Sequence, residues 1–281
     1  MIQGQPVGRE QQVGQQPVRP RRSGEQQPQE RQPAERQPEE QRRPADGPRT
    51  RMPWILMYHS VGRTDDDPHL ITVSPAQFTR QMRWLKSRGL RGVSMRELRR
   101  AENGGRLRGL VGLTFDDGYA DFAVRAVPTL LRFGFTATVF VVAERIGSYN
   151  TWDEGPCKPL MTADQICQVR AMGMEVASHG LRHVSLPDTD DDELCTELRR
   201  SRALLEEVIE EPVTGFAYPY GHVGPREIDA VRAAGYDYGC AIWSDTYDVH
   251  ALARTYIGER DGGLRMRVKV VRHQLRWRTR I

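Results

Sequence analysis

The order in which short β-prone runs and amphipathic helical patterns follow one another constrains this chain more than any other feature. From Trp54 onward the two alternate. Apolar, β-branched or aromatic runs at 54–61, 90–95, 111–115, 135–143, 174–178, 213–218 and 236–243 predict strands. Between them lie stretches with helix punctuation. Ser74-Pro75 supplies an N-cap and a proline at the first helical position, Phe78, Met82 and Leu85 form an apolar stripe, and Gly89 stops it. Further helices are predicted over 96–101, 121–133, 162–172 (capped by Thr162), 192–210 and 225–234, with Gly134, Gly173 and Gly235 as stop signals. Strands alternating with helices imply a parallel sheet with helices outside it. About seven units, with no Gly-x-Gly-x-x-Gly after the first strand, suit a closed or nearly closed barrel better than a doubly wound sheet. The expectation is an α/β chain folded as one distorted (β/α)7-type barrel.

Both ends depart from that pattern. Residues 1–50 are Gln, Arg, Glu, Pro and Gly with almost no large apolar side chain, a composition that predicts a disordered arm. Its mixed signs argue for a solvated tether rather than a nucleic-acid or membrane ligand. The barrel is then expected over 52–250 and a basic extension over 251–281. In that extension Leu264, Val268, Val271 and Leu275 fit helical spacing, while 264–270 also alternates apolar with basic residues, so helix and strand both remain open. An anionic membrane surface was weighed as its partner against a solvated face of a closing element, and the second is preferred. No apolar run approaches the ~20 residues that span a bilayer, and Met1 is not followed by a secretory pattern, so the chain as written reads as cytoplasmic. Cys157, Cys167, Cys195 and Cys240 form no Cys-x-x-Cys pair, which speaks against a zinc knuckle or redox dithiol; a bridge between Cys157 and Cys167 has no support.

Chemistry-bearing residues gather at the C-terminal ends of the predicted strands, the face where barrel enzymes keep their active sites. His59 ends the first strand, Asp116 and Asp117 the third, His179 the fifth, and Tyr220 follows the sixth. Two adjacent aspartates cannot point the same way from an extended backbone, so one can bind a cation while the other accepts a proton. Read alone, Asp116-Asp117-Gly118 is equally a capped turn. In Ser178-His179-Gly180-Leu181-Arg182-His183 the imidazoles are four residues apart, which on a helical turn places them on one face. With a carboxylate from the aspartate pair they make a three-ligand site with an open position, suited to Zn²⁺ or a similar divalent ion that acidifies a water.

Thr-Phe-Asp-Asp-Gly (114–118), Ser-His-x-x-x-His (178–183) and Tyr-Pro-Tyr-Gly (218–221), in this order, resemble the motifs of the metal-dependent polysaccharide deacetylase family (carbohydrate esterase family 4, the NodB-homology domain) over roughly residues 54–245. The resemblance implies a distorted barrel in which Asp116 is the catalytic base, Asp117, His179 and His183 ligate the metal, and Tyr220 offers its backbone N–H to the oxyanion. It implies one divalent ion, Zn²⁺ ahead of Co²⁺, Ni²⁺, Mn²⁺ or Fe²⁺, and an N-acetylated amino-sugar polymer or glycoconjugate as partner of a monomeric enzyme, with no nucleic acid. Leu56-Met57-Tyr58-His59 together with Tyr-Pro-Tyr-Gly is more similar to the branch acting on exported or surface N-acetylglucosamine polymers. Two departures stand out. Ala217-Tyr218-Pro219-Tyr220 replaces Arg-x-Pro-Tyr, removing the arginine that would orient the base, and no Leu-x-His-Asp follows Trp243 to supply a histidine acid.

An expelled amine must be protonated as it leaves, so a proton donor is needed. His59 is the candidate, because His250 and His273 lie beyond the last strand without a motif around them. Asp245 reads better as a loop cap than as an assistant to the site. Tyr149, Trp152 and Tyr247 fall in loops on the site's side, where aromatic faces stack on sugars, with Trp152 the best placed. The favoured function is a carbohydrate N-deacetylase. A catalytically silent carbohydrate-binding barrel and an adaptor using the basic tail are the competing readings.

Overall fold

Ser74 does what its position predicts: its hydroxyl accepts from the Gln77 N–H and opens a helix whose buried face is Phe78, Met82 and Leu85. The computed structural model describes residues 52–63 and 65–277, so the expected arm, 1–50, lies outside the described residues. The chain order is β1 (Ile55–Tyr58), β2 (Ser60–Val61), β3 (Thr72–Val73), α1 (Pro75–Ser87), β4 (Arg91–Val93), α2 (Met95–Asn103), β5 (Leu110–Phe115), a π-helical turn (Phe122–Ala126), α3 (Val127–Phe133) and β6 (Thr138–Val141). It continues with α4 (Ala163–Ala171), β7 (Glu175–Ser178), α5 (Asp191–Ile209), β8 (Gly215–Ala217), α6 (Pro225–Ala233), β9 (Tyr238–Ala241), β10 (Leu252–Ala253), β11 (Thr255–Tyr256) and α7 (Gly263–Trp277).

All the expected strands and helices form, most of them trimmed at the ends. The run 54–61 breaks at His59, and its last two residues pair instead with β3. The helix expected over 121–133 begins as a π-helical turn and becomes α-helical at Val127, because Pro128 has no N–H to continue a regular ladder. Thr162 and Gln165 form the reciprocal capping box that fixes the start of α4. The ambiguous basic tail is a helix.

The main sheet has nine strands, all parallel where they pair. β5 carries β1 along one side, while its other side is shared between β4 at the start and β6 at the end, which splays the wall there. The wall runs β1-β5-β6-β7-β8-β9, and residues 252–256 bridge the remaining gap. Leu252 and Ala253 pair with Cys240 and Ala241 of β9, and Thr255 and Tyr256 pair with Leu56 and Met57 of β1. Arg254 is the residue at which this broken strand changes partner. The sheet therefore runs past residue 250, where the sequence places the start of the extension.

Alternation along the strands sorts the apolar residues into two clusters. Leu56, Phe115, Val139, Val176 and Phe216 pack against the helices, whereas Ile55, Phe140, Ala177, Ala217 and Cys240 fill the barrel. The lower end is sealed by Glu175, which accepts from the Thr138 hydroxyl, the Tyr238 hydroxyl and the Arg96 N–H at 2.6, 3.0 and 2.7 Å. A Cβ on Gly215 would lie 2.1 Å from that tyrosine hydroxyl, so only glycine fits beside the seal. The four cysteines are free, including Cys157 and Cys167. Among the described residues no helix is long and apolar enough to cross a membrane.

Candidate metal centre and active site

β5 delivers the two aspartates and then turns sharply. The Asp116 N–H is still held by the Tyr58 carbonyl, but Asp117 and Gly118 adopt φ of 73° and 75°. That left-handed step sends the two carboxylates to different partners, as adjacent strand-end residues must be sent. Among the described residues five non-glycine residues have positive φ, and four of them, Leu70, Asp117, His183 and Tyr220, line one cleft. Such strain persists where surrounding structure holds it, and it collects at functional sites.

Asp117 and His179 are each less than 5% exposed, and His183 is 6% exposed. The Asp117 Oδ1 lies 3.4 Å from Nε2 of both imidazoles and makes no conventional hydrogen bond. His179 Nδ1 is 2.9 Å from the Ala217 carbonyl, which can only accept, so Nδ1 carries the proton and the Nε2 lone pair faces the aspartate. Ligand atoms of Asp117, His179 and His183 all lie within 4.8 Å of one another. An unsatisfied carboxylate oxygen facing two imidazole nitrogens in a buried spot is a donor set that fits a divalent ion of the zinc type.

The histidines are not on a helical turn, contrary to the sequence reading. The 179–183 segment is an irregular loop with Gly180 at φ 81° and His183 at φ 65°. It is fixed from behind by Glu197 of α5, fully buried, which accepts from the N–H groups of Leu181 and Arg182 and from Arg182 Nε. The left-handed loop, rather than helical periodicity, brings the two rings to a centroid distance of 5.0 Å. Trp152 stacks on His183 at 4.5 Å, and Tyr220 meets the same ring edge-on at 4.7 Å.

Asp116 has a different partner. Arg254 donates to both its carboxylate oxygens, Nη1 to Oδ1 at 2.6 Å and Nη2 to Oδ2 at 2.8 Å. The guanidinium is itself buried, and it also reaches the Thr114 hydroxyl and the Ala241 carbonyl. Burial alone would raise the Asp116 pKa. Arg254 first, then His179 and His59, outweigh it and hold the carboxyl below its ordinary value. The arginine that appeared to be missing is therefore present, supplied by the strand that closes the barrel instead of the segment before Tyr220. Nothing around Arg254 in Leu-Ala-Arg-Thr-Tyr signals this, since the role depends on barrel closure.

His59 sits on the rim, its side chain 17% exposed, with Nε2 3.9 Å from Asp116 Oδ2. Burial lowers its pKa, the two aspartates opposing. Tyr220 is 38% exposed and donates its hydroxyl to Asp153. These residues and Trp152 line a cleft of about 590 Å³ that also takes in Lys158. Neither Tyr149 nor Tyr247 lines it; Tyr247 is bonded to Arg99 and Glu102 of α2. Asp245 is exposed and pairs with Arg276, and the His250 and His273 rings bond the carbonyls of Tyr236 and Met52, away from the cleft.

Residues 104–239 match the family model for polysaccharide deacetylase. A Bacillus subtilis protein designated a polysaccharide deacetylase, YxkH, is 27% identical over 187 residues, 66% of this chain and 62% of the relative. The poly-β-1,6-N-acetyl-D-glucosamine N-deacetylase of Staphylococcus aureus is 23% identical over 181 residues, 61% of each chain. The chain thus spans about 61–62% of the length of these curated relatives. A solved polysaccharide deacetylase from Bacillus cereus shares the fold, with a TM-score of 0.66 and 21% identity over 77% of this chain and 68% of that one. The aspartate pair, the histidine loop and Tyr220 all lie within the stretch that matches the polysaccharide deacetylase family model, and the B. subtilis relative and the solved structure that this chain resembles carry that same family designation.

Proposed function

We propose that this protein is a metal-dependent hydrolase that removes N-acetyl groups from amino sugars in a polysaccharide or glycoconjugate. The observation that carries the reading is the Asp116–Arg254 ion pair set beside the Asp117, His179 and His183 cluster: a base held ionised next to a site that fits a divalent ion. Asp117, His179 and His183 would hold that ion, Zn²⁺ in the first place, and when bound it supplies a Lewis acid that acidifies a water and polarises a carbonyl oxygen. The S. aureus relative's name supplies the substrate class carried over here.

The chain's own residues divide the remaining work. Asp116, fixed by two guanidinium hydrogen bonds, accepts a proton from the attacking water. The Tyr220 backbone N–H serves the developing oxyanion. Collapse breaks the C–N bond, and the electron pair goes to nitrogen, which needs a proton. His59, 3.9 Å from Asp116, takes that proton from the base and passes it to the amine, so water and amide become acetate and a free amino sugar.

The silent-scaffold reading draws on two absences, the arginine and the histidine of Leu-x-His-Asp; the Arg254–Asp116 pair answers the first and leaves the second to His59. Acetate release from N-acetylglucosamine oligomers, measured after chelation and after adding back divalent metal, tests the proposal. Metal-restored release is expected. A protein that binds the oligomers and never releases acetate would refute it.

A further inference from the structure

Helix α7 carries two apolar faces. Met266 and His273 are buried against the barrel with Val270 and Trp277 packed beside them, which is the closing role the sequence suggested. Leu264, Val268, Val271 and Leu275, spaced by four, three and four residues, lie on the opposite face and are 78%, 44%, 47% and 75% exposed. Leu70 and Trp243 are exposed too, at 56% and 71%. Trp243 is tied to the end of α7 by the Arg276 guanidinium, 5.5 Å from its ring.

The charges on α7 itself have one sign. Within its span α7 holds Arg265, Arg267, Lys269, Arg272 and Arg276 and no carboxylate. A hollow of about 960 Å³ between the 63–74 segment and the first half of the helix is lined by Leu70, Leu264 and Val268 together with Arg63, Arg260, Arg265 and Arg272. Its acids are mostly engaged: Asp67 accepts from the Ile71 and Thr72 N–H groups, Glu259 from Ser74, and Asp261 from Gly258 and Lys269. Asp65 is the exception. The four arginines have no ion pair or side-chain hydrogen bond among the described residues. Asp67, Leu70 and Tyr256 line both this hollow and the catalytic cleft.

We infer that the outward face of α7, with Leu70 and Trp243, docks on an anionic lipid surface and holds the catalytic cleft beside it. Exposed leucines and a tryptophan enter the headgroup boundary, where an amphipathic helix lies in plane, and the flanking guanidinium groups meet lipid phosphates. Charge complementarity selects this occupant. In a symmetric contact between two copies the arginines of one would oppose those of the other. A soluble polyanion would engage the arginines and leave the leucines in water.

The test is flotation of the full chain with vesicles of phosphatidylcholine alone or mixed with phosphatidylglycerol. Binding to the mixed vesicles is expected, with about tenfold or greater weakening in L264S/L275S and, separately, in R265Q/R272Q, as expected when apolar and electrostatic contributions act together. Melting temperatures should stay at the wild-type value, because these side chains face outward. Absence of binding to the mixed vesicles overturns the inference. So does binding that L264S/L275S leaves intact while R265Q/R272Q or removal of residues 1–50 abolishes it, or a dimer that L264S/L275S dissociates.

Discussion

Asp116 and Arg254 meet in one ion pair, yet the segments that bring them there have little in common. The end of β5 is a dense local signal: a buried strand, two aspartates and a glycine that permits the turn. Residues 252–256 are two two-residue strands around one arginine, joined to the rest only because β9 and β1 each leave an edge to be covered. Chemistry tied to its own backbone turn can be read from neighbours in sequence. Chemistry supplied across 138 residues of chain depends on the ring being closed.

The largest expected effect comes from the β5 side. Asp116→Asn should cut deacetylation by about 10³-fold, within the range for a general base, while leaving bound metal near one equivalent. Equal metal loss would mean that Asp116 belongs to the ligand set, and the division between the two aspartates would fail. His59→Ala should cost on the order of 10²-fold on an N-acetyl sugar and far less on an aryl acetate ester, whose phenolate leaves unaided. Similar losses on both substrates would remove the relay.

The closing strand is probed by Arg254→Ala. Breaking a buried ion pair costs about 3–5 kcal/mol, read from denaturant unfolding, and turnover should fall by roughly 10-fold or more because the base loses its orientation. The comparison is sharpened by the double variant. Much of the stability cost of losing Arg254 should vanish in an Asp116→Asn background, where the partner charge is already gone. An unchanged cost would show that Arg254 works through Thr114 and Ala241 instead. The smallest effect on chemistry is expected from Glu197→Gln, which loosens the histidine loop from behind. Metal affinity should drop by about 10- to 100-fold, as when groups supporting metal ligands are altered, with near-normal turnover once metal is saturating. A fall in turnover at saturating metal would place Glu197 closer to the reaction than its hydrogen bonds do.

Several features were fixed by sequence alone. Ser74-Pro75, Thr162 and the glycines after the helices set element boundaries through backbone conformation and capping, which act over a few residues. The same local rules put Asp116, Asp117, His179 and His59 at strand ends on one face of the barrel. Local reasoning failed where partners are distant. Periodicity suggested a helical turn for His179 and His183, but left-handed residues and Glu197 of α5 shape that loop. Spacing showed the apolar residues of α7, but not that one set would be buried and the opposite set left exposed. The orienting arginine could be found only once the barrel had closed, because nothing in a five-residue strand fixes which carboxylate it will meet; tertiary packing settles that by burying both charges where neither has another partner of opposite charge as close.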